Sequence, residues 1–125
     1  MITSRRSQEH HRPRKERVHE EKGRKMVNVG KVSVIRDGGS PKERARKLVE
    51  EAAVAFSAWE RFDRADAEDD LAAIDAAERE IVQECADVIT AACGLIWSIY
   101  GGDPDITVDI DACWHRNQKR GRVMV

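Results

Sequence analysis

The 125-residue chain is one domain long, carries a formal net charge of −1, and is 36% charged but only 5% aromatic. That balance argues against a uniformly cationic nucleic-acid binder and against a β-sandwich, and it suits helices with highly charged outer faces. Cys85, Cys93 and Cys113 are odd in number and form no C-x-x-C pair, which argues against a disulfide framework or a thiolate zinc site and for thiols in a reducing cytoplasm.

Residues 1–26 read as a disordered basic N-terminal extension. Over 1–25 there are nine Lys/Arg against four Asp/Glu and almost no apolar residues, too few to offset the entropy of ordering. The segment lacks the apolar core of a secretory signal. His10, His11 and His19 within it offer only adventitious metal contacts. It is either a solubilising tail or an arm that meets nucleic acid, the one route to nucleic acid in this chain, and Met26 just after it offers an alternative translation start. Residues 27–39 read as an extended arm or turn: the valine-rich 27–36 stretch has no partner strand, and Asp37-Gly38-Gly39 is a turn signal.

Residues 40–122 read as an all-α domain. Ser40, Pro41 and Glu43 form a capping-box start for a helix over 41–62. Its residues Leu48, Ala52, Ala55, Phe56 and Trp59 fall on one stripe, expected to face the core. The acidic run 63–70 reads as a linker. A second helix is expected over 71–100, allowing a break near Asp75, and its part from Cys85 onward is apolar on nearly every side and expected at the centre of the core. The apolar stretch 88–100 is shorter than the about 20 residues a membrane span needs, so no membrane partner is expected. Gly101-Gly102 ends that helix, and a last helix over 106–120 places Ile106, Ile110, Cys113 and Trp114 on one face. Three such helices close no deep core alone, which predicts a homodimer or homotetramer built as a helical bundle.

Three constellations carry possible chemistry. On the first helix, Glu51 lies about 60° from the Leu48 stripe, facing a groove, whereas Glu50 points to the opposite side, toward solvent. On the second, Glu80, Glu84 and Asp87 stand at i, i+4 and i+7 and share a face. Carboxylates so gathered repel one another, and a bound Mg²⁺ relieves that while bridging to phosphates; the same spacing also describes an ordinary solvated acidic face. Near the C-terminus, Arg116, Lys119 and Arg120 are natural phosphate binders, and Asn117 continues the apolar stripe, facing inward where it can read a base or sugar edge. Basic residues there also complement a helix dipole. His115 is isolated, and Trp59, Trp97 and Trp114 suit core packing better than base stacking.

These pieces in order resemble the MazG-like all-α nucleoside triphosphate pyrophosphohydrolases, in the small single-domain form common in bacteriophages. Lys47-Leu48-Val49-Glu50-Glu51-Ala52-Ala53 is similar to that family's Glu-Glu-x-x-Glu helix, and Glu84-Cys85-Ala86-Asp87 to its Glu-x-x-Asp helix. The stretch 116–122 is similar to its basic C-terminal segment. The resemblance implies a MazG-like bundle, completed by oligomerisation, that hydrolyses (d)NTP between the α and β phosphates to (d)NMP and pyrophosphate. It implies Mg²⁺, with Mn²⁺ as a substitute, held by Glu51, Glu84 and Asp87. It gives Glu50 or Glu80 the role of activating water, Arg116, Lys119 and Arg120 the phosphates, and Asn117 the nucleoside. The chain departs from the pattern at Val54, where the family has a third Glu of the first motif, and Glu80 is the nearest substitute carboxylate. Two expectations follow: an active cytoplasmic pyrophosphohydrolase, or a bundle of the same descent with weakened catalysis, acting by binding nucleotide or another protein.

Overall fold

A computed structural model describes residues 25–122. The expectations placed on residues 1–24 lie outside the described residues. Three helices follow in order: α1 over Pro41–Ala67, α2 over Leu71–Tyr100 and α3 over Thr107–Lys119. No strand occurs among the described residues, and 27–35 run as irregular chain before the turn at Arg36-Asp37. The all-α class is therefore as the sequence predicts.

The start of α1 is the expected capping box. The Glu43 amide donates to Ser40 Oγ at 3.2 Å, and Glu43 Oε1 accepts from the Ser40 amide at 2.8 Å. The Ser40 backbone contact, with the Ser40 hydroxyl second, holds the Glu43 carboxyl below its ordinary value. The end differs from the sequence reading. Helix α1 does not stop at Phe62 but runs to Ala67, so most of the acidic 63–70 linker is helical. Two of those residues, Ala65 and Asp66, are buried, and the segment holds neither Gly nor Pro. Burial against α2 outweighs the local acidity. Asp69 takes a left-handed conformation, φ 54°, and Asp70 then caps α2 by accepting from the Ala73 amide at 3.1 Å. No break occurs at Asp75. Gly101, at φ 68°, closes α2 through its amide to the Trp97 carbonyl at 2.7 Å.

With only residues 68–70 between them, α1 and α2 form a helical hairpin. Contacts of Arg44 with Trp97 and of Arg61 with Glu80 fix the antiparallel register. The packed seam matches the predicted stripe only in part. Arg44, Ala58 and Ala65 of α1 are buried against Ile74, Ala77 and Gly94 of α2, whereas Phe56 is 60% exposed. Leu48 and Ala55 of the stripe are half-buried in register with that seam, whereas Ala52, Phe56 and Trp59 are exposed, so the stripe meets the seam along one edge only. Likewise the part of α2 from Cys85 onward is not a buried centre in the single chain: Gly94 alone is buried there, and Tyr100 is 78% exposed. The physical reason is that two helices bury one stripe each, and both helices carry more apolar surface than one stripe holds. Helix α3 packs on neither of them. By length and composition α2 is long enough and apolar enough to cross a membrane, although Asp75, Glu78, Arg79, Glu80, Glu84 and Asp87 all lie on it.

Candidate functional site

A cleft of about 470 Å³ opens where the first turns of α1 face the second half of α2. Helix α1 supplies Glu50 and Glu51 to its wall, α2 supplies Asp87, and the turn before α1 supplies Asp37. Arg46 and Lys47 stand in the same wall, one turn before the paired glutamates. Glu51 is the more enclosed carboxylate, with 18% of its side chain exposed and Lys47 Nζ 3.8 Å away. Glu50 and Asp87 are exposed and form no ion pair among the described residues.

Glu51 is half-buried and Glu50 exposed, as their places on α1 predict. Both line the cleft, because its mouth spans more than one side of α1. Asp87 joins them as expected from α2. Glu84 does not line the cleft, although it lies one turn before Asp87. Glu80 stands apart. It faces a second hollow between the helices, where Arg61 takes both its oxygens at 2.9 and 2.8 Å. That pairing holds the Glu80 carboxyl ionised below its ordinary value. Val54 is 41% exposed and lines neither hollow.

The C-terminal candidates are not brought to the cleft within one chain. Arg116, Asn117, Lys119 and Arg120 belong to α3 and its cap, and α3 packs on neither long helix. Nor does Asn117 face inward. Its amide Nδ2 donates to the Cys113 carbonyl of its own helix at 3.0 Å. His115 lies 3.3 Å from Asp111 on the same exposed surface.

Arg44, Arg46, Lys47 and Asp37 are the site residues that sequence reasoning missed. A signal for Arg44 was present: it sits at i−4 from Leu48 and i−7 from Glu51, on the face that turns inward. The four cleft carboxylates, together with capping Glu43 in the same wall, outnumber its three cations. A polyphosphate therefore meets net negative charge unless a divalent cation accompanies it. Among the described residues no three His, Cys, Asp or Glu side chains converge closely enough to hold a metal ion. Two carboxylates from facing helices do suit Mg²⁺ that arrives with a phosphate ligand, since that ion commonly takes one or two protein carboxylates and fills the rest with water and phosphate oxygens.

No protein-family model matches the chain, and neither a curated protein nor a solved structure matches it.

Proposed function

We propose that this protein is a Mg²⁺-dependent nucleoside triphosphate pyrophosphohydrolase that converts (d)NTP to (d)NMP and pyrophosphate in the cytoplasm. The reaction class comes from the two helical motifs. The observation that supports it is that Glu51 of the first motif and Asp87 of the second line one cleft, beside Glu50 and two cations.

In this reading Glu51 and Asp87 would hold the Mg²⁺ that accompanies the substrate, and the motif resemblance assigns Glu84 to the same ion. Bound there, Mg²⁺ or Mn²⁺ neutralises triphosphate charge and polarises the phosphorus centre. Glu50 orients the attacking water and accepts its proton. Glu80 is the weaker choice for that role, since Arg61 already occupies both its oxygens. Arg46 and Lys47 take phosphate oxygens. Arg116, Asn117, Lys119 and Arg120 reach a cleft only from another protomer, so the reading includes a homodimer or homotetramer in which α3 meets a neighbouring hairpin.

A second reading has its own support. Val54 replaces a carboxylate, and Glu84 lies outside the cleft, which favours a weakened enzyme that binds nucleotide more than it turns it over.

Pyrophosphate release from a panel of NTPs and dNTPs, with and without Mg²⁺, tests the first reading. Release is expected to need Mg²⁺ and to vanish in Glu51→Gln and in Glu84→Gln. Turnover that survives in both variants sinks the assignment of the site; no turnover in the wild type moves the conclusion to the second reading.

A further inference from the structure

We propose that Arg44 is a positioning residue that straps the 35–39 turn across the cleft and thereby builds its outer wall. The residue is buried, at 6% relative exposure, although it is charged. Three backbone carbonyls of the turn receive it: Nε donates to Gly39 O at 3.1 Å, and Nη2 donates to Ile35 O at 2.9 Å and Arg36 O at 3.3 Å. Its guanidinium carbon lies 5.5 Å from the centre of the Trp97 ring. Among the described residues no carboxylate pairs with it. A buried charge is costly without partners, and here the carbonyl dipoles and the indole face supply them. A planar fork with five donors suits three carbonyls from one turn; a lysine ammonium does not.

Two glycines make the room. A Cβ on Gly94 would stand 2.8 Å from Arg44 Nη1, and a Cβ on Gly38 would stand 2.7 Å from Arg44 Cζ. Gly94 lies inside α2, where glycine weakens a helix, and the close approach of the guanidinium explains its presence. Elsewhere in 27–40 the hydrogen bonds among the described residues are local, from the Gly30 amide to Asn28 Oδ1 and from the Ser40 amide to Glu43 Oε1. Arg44 joins the turn to both long helices, through its carbonyl contacts and the Trp97 ring. Ile35 and Asp37 line the cleft because of it. The strap is independent of what the cleft binds; its consequence for turnover rests on the pyrophosphohydrolase reading.

The test uses the full chain with Arg44→Lys and, separately, Gly94→Ala. Trypsin cleavage of the bond after Arg36 is followed by mass spectrometry against the bond after Lys31, which lies outside the strap. Both variants are expected to raise that ratio at least about tenfold, because cleavage follows local opening. Gly94→Ala is the sharper case, since alanine favours the helix while its Cβ displaces the guanidinium. The KM for the nucleotide is expected to rise about fivefold or more with kcat within about twofold, the mark of lost ligand positioning rather than lost chemistry. An unchanged cleavage ratio in Gly94→Ala overturns the strap, and that variant decides if Arg44→Lys fails to fold. A loosened turn with unchanged KM overturns the positioning role. Absent wild-type turnover overturns the pyrophosphohydrolase reading instead, and the cleavage ratio then decides the strap.

Discussion

Arg61 and Glu80 join the two long helices through paired hydrogen bonds, Nε to Oε1 at 2.9 Å and Nη2 to Oε2 at 2.8 Å. The bond from Arg61 lowers the Glu80 carboxyl from 4.5, and the same contact raises Arg61. A carboxylate depressed on folding contributes stability that is fully present above its unfolded value and lost as pH falls through the folded value. Both side chains are more than one-third exposed, so the contribution is small. Glu80→Gln is expected to lower Tm slightly at about pH 7, and the difference should shrink as pH falls below the ordinary carboxylate range. An undiminished drop at low pH would mean that packing rather than charge joins the helices.

Among the described residues, Ile74 is the largest of the four buried hydrophobic residues, the others being Ala58, Ala65 and Ala77. Alanine neighbours let the helices approach closely, so a cavity left at Ile74 has few long side chains to fill it. Ile74→Ala is expected to destabilise by about 2–4 kcal/mol, against less than about 0.5 kcal/mol for exposed Leu71→Ala, in urea unfolding. Equal midpoints for the two variants would show that the seam does not hold the hairpin.

Val54 stands one turn beyond Glu50 and Glu51 on α1. If the weakened-enzyme reading holds, Val54→Glu restores a carboxylate at the vacant motif position. Mg²⁺-dependent pyrophosphate release is then expected to rise about tenfold or more, an ordinary size for a regained metal ligand or its support. No gain, with the fold intact by circular dichroism, would remove Val54 from the account of the site.

Signals that act over one turn were legible in the sequence. Ser40 with Glu43 gave the start of α1, and Gly101 gave the end of α2. Glu51 and Asp87 each border the apolar side of their helix in the sequence, and both line the cleft between the helices. What escaped depends on the mating of two helices. Ala65 and Asp66 extend α1 only because α2 covers them, a tertiary effect that outweighs an acidic sequence. The seam was placed only in part, because apolar residues on α1 spread beyond one edge and periodicity cannot say which edge meets α2. Arg44 was passed over because a basic residue in a first turn reads as solvated; its burial needs the turn, Trp97 and Gly94 at once.

The exposed side of that stripe bears on assembly. Val49, Phe56 and Trp59 are exposed on α1, with the Phe56 and Trp59 rings stacked at 5.8 Å, and Val82, Ile99 and Tyr100 are exposed on α2. A hairpin with so few buried apolar residues is a thin core for a stable domain. Helix α3, 13 residues long and unsupported by either long helix, is marginal by itself in water. Pairing of hairpins in a second copy would cover the stripes and give α3 a surface, completing a bundle. Sedimentation of the wild type is expected to give twice the chain mass or a higher multiple. Phe56→Asp with Val82→Asp should shift it to the monomer and lower Tm together, since folding and association are then linked. A wild type that sediments as a stable monomer would overturn this assembly, and with it any contribution of Arg116, Lys119 and Arg120 to a neighbouring cleft.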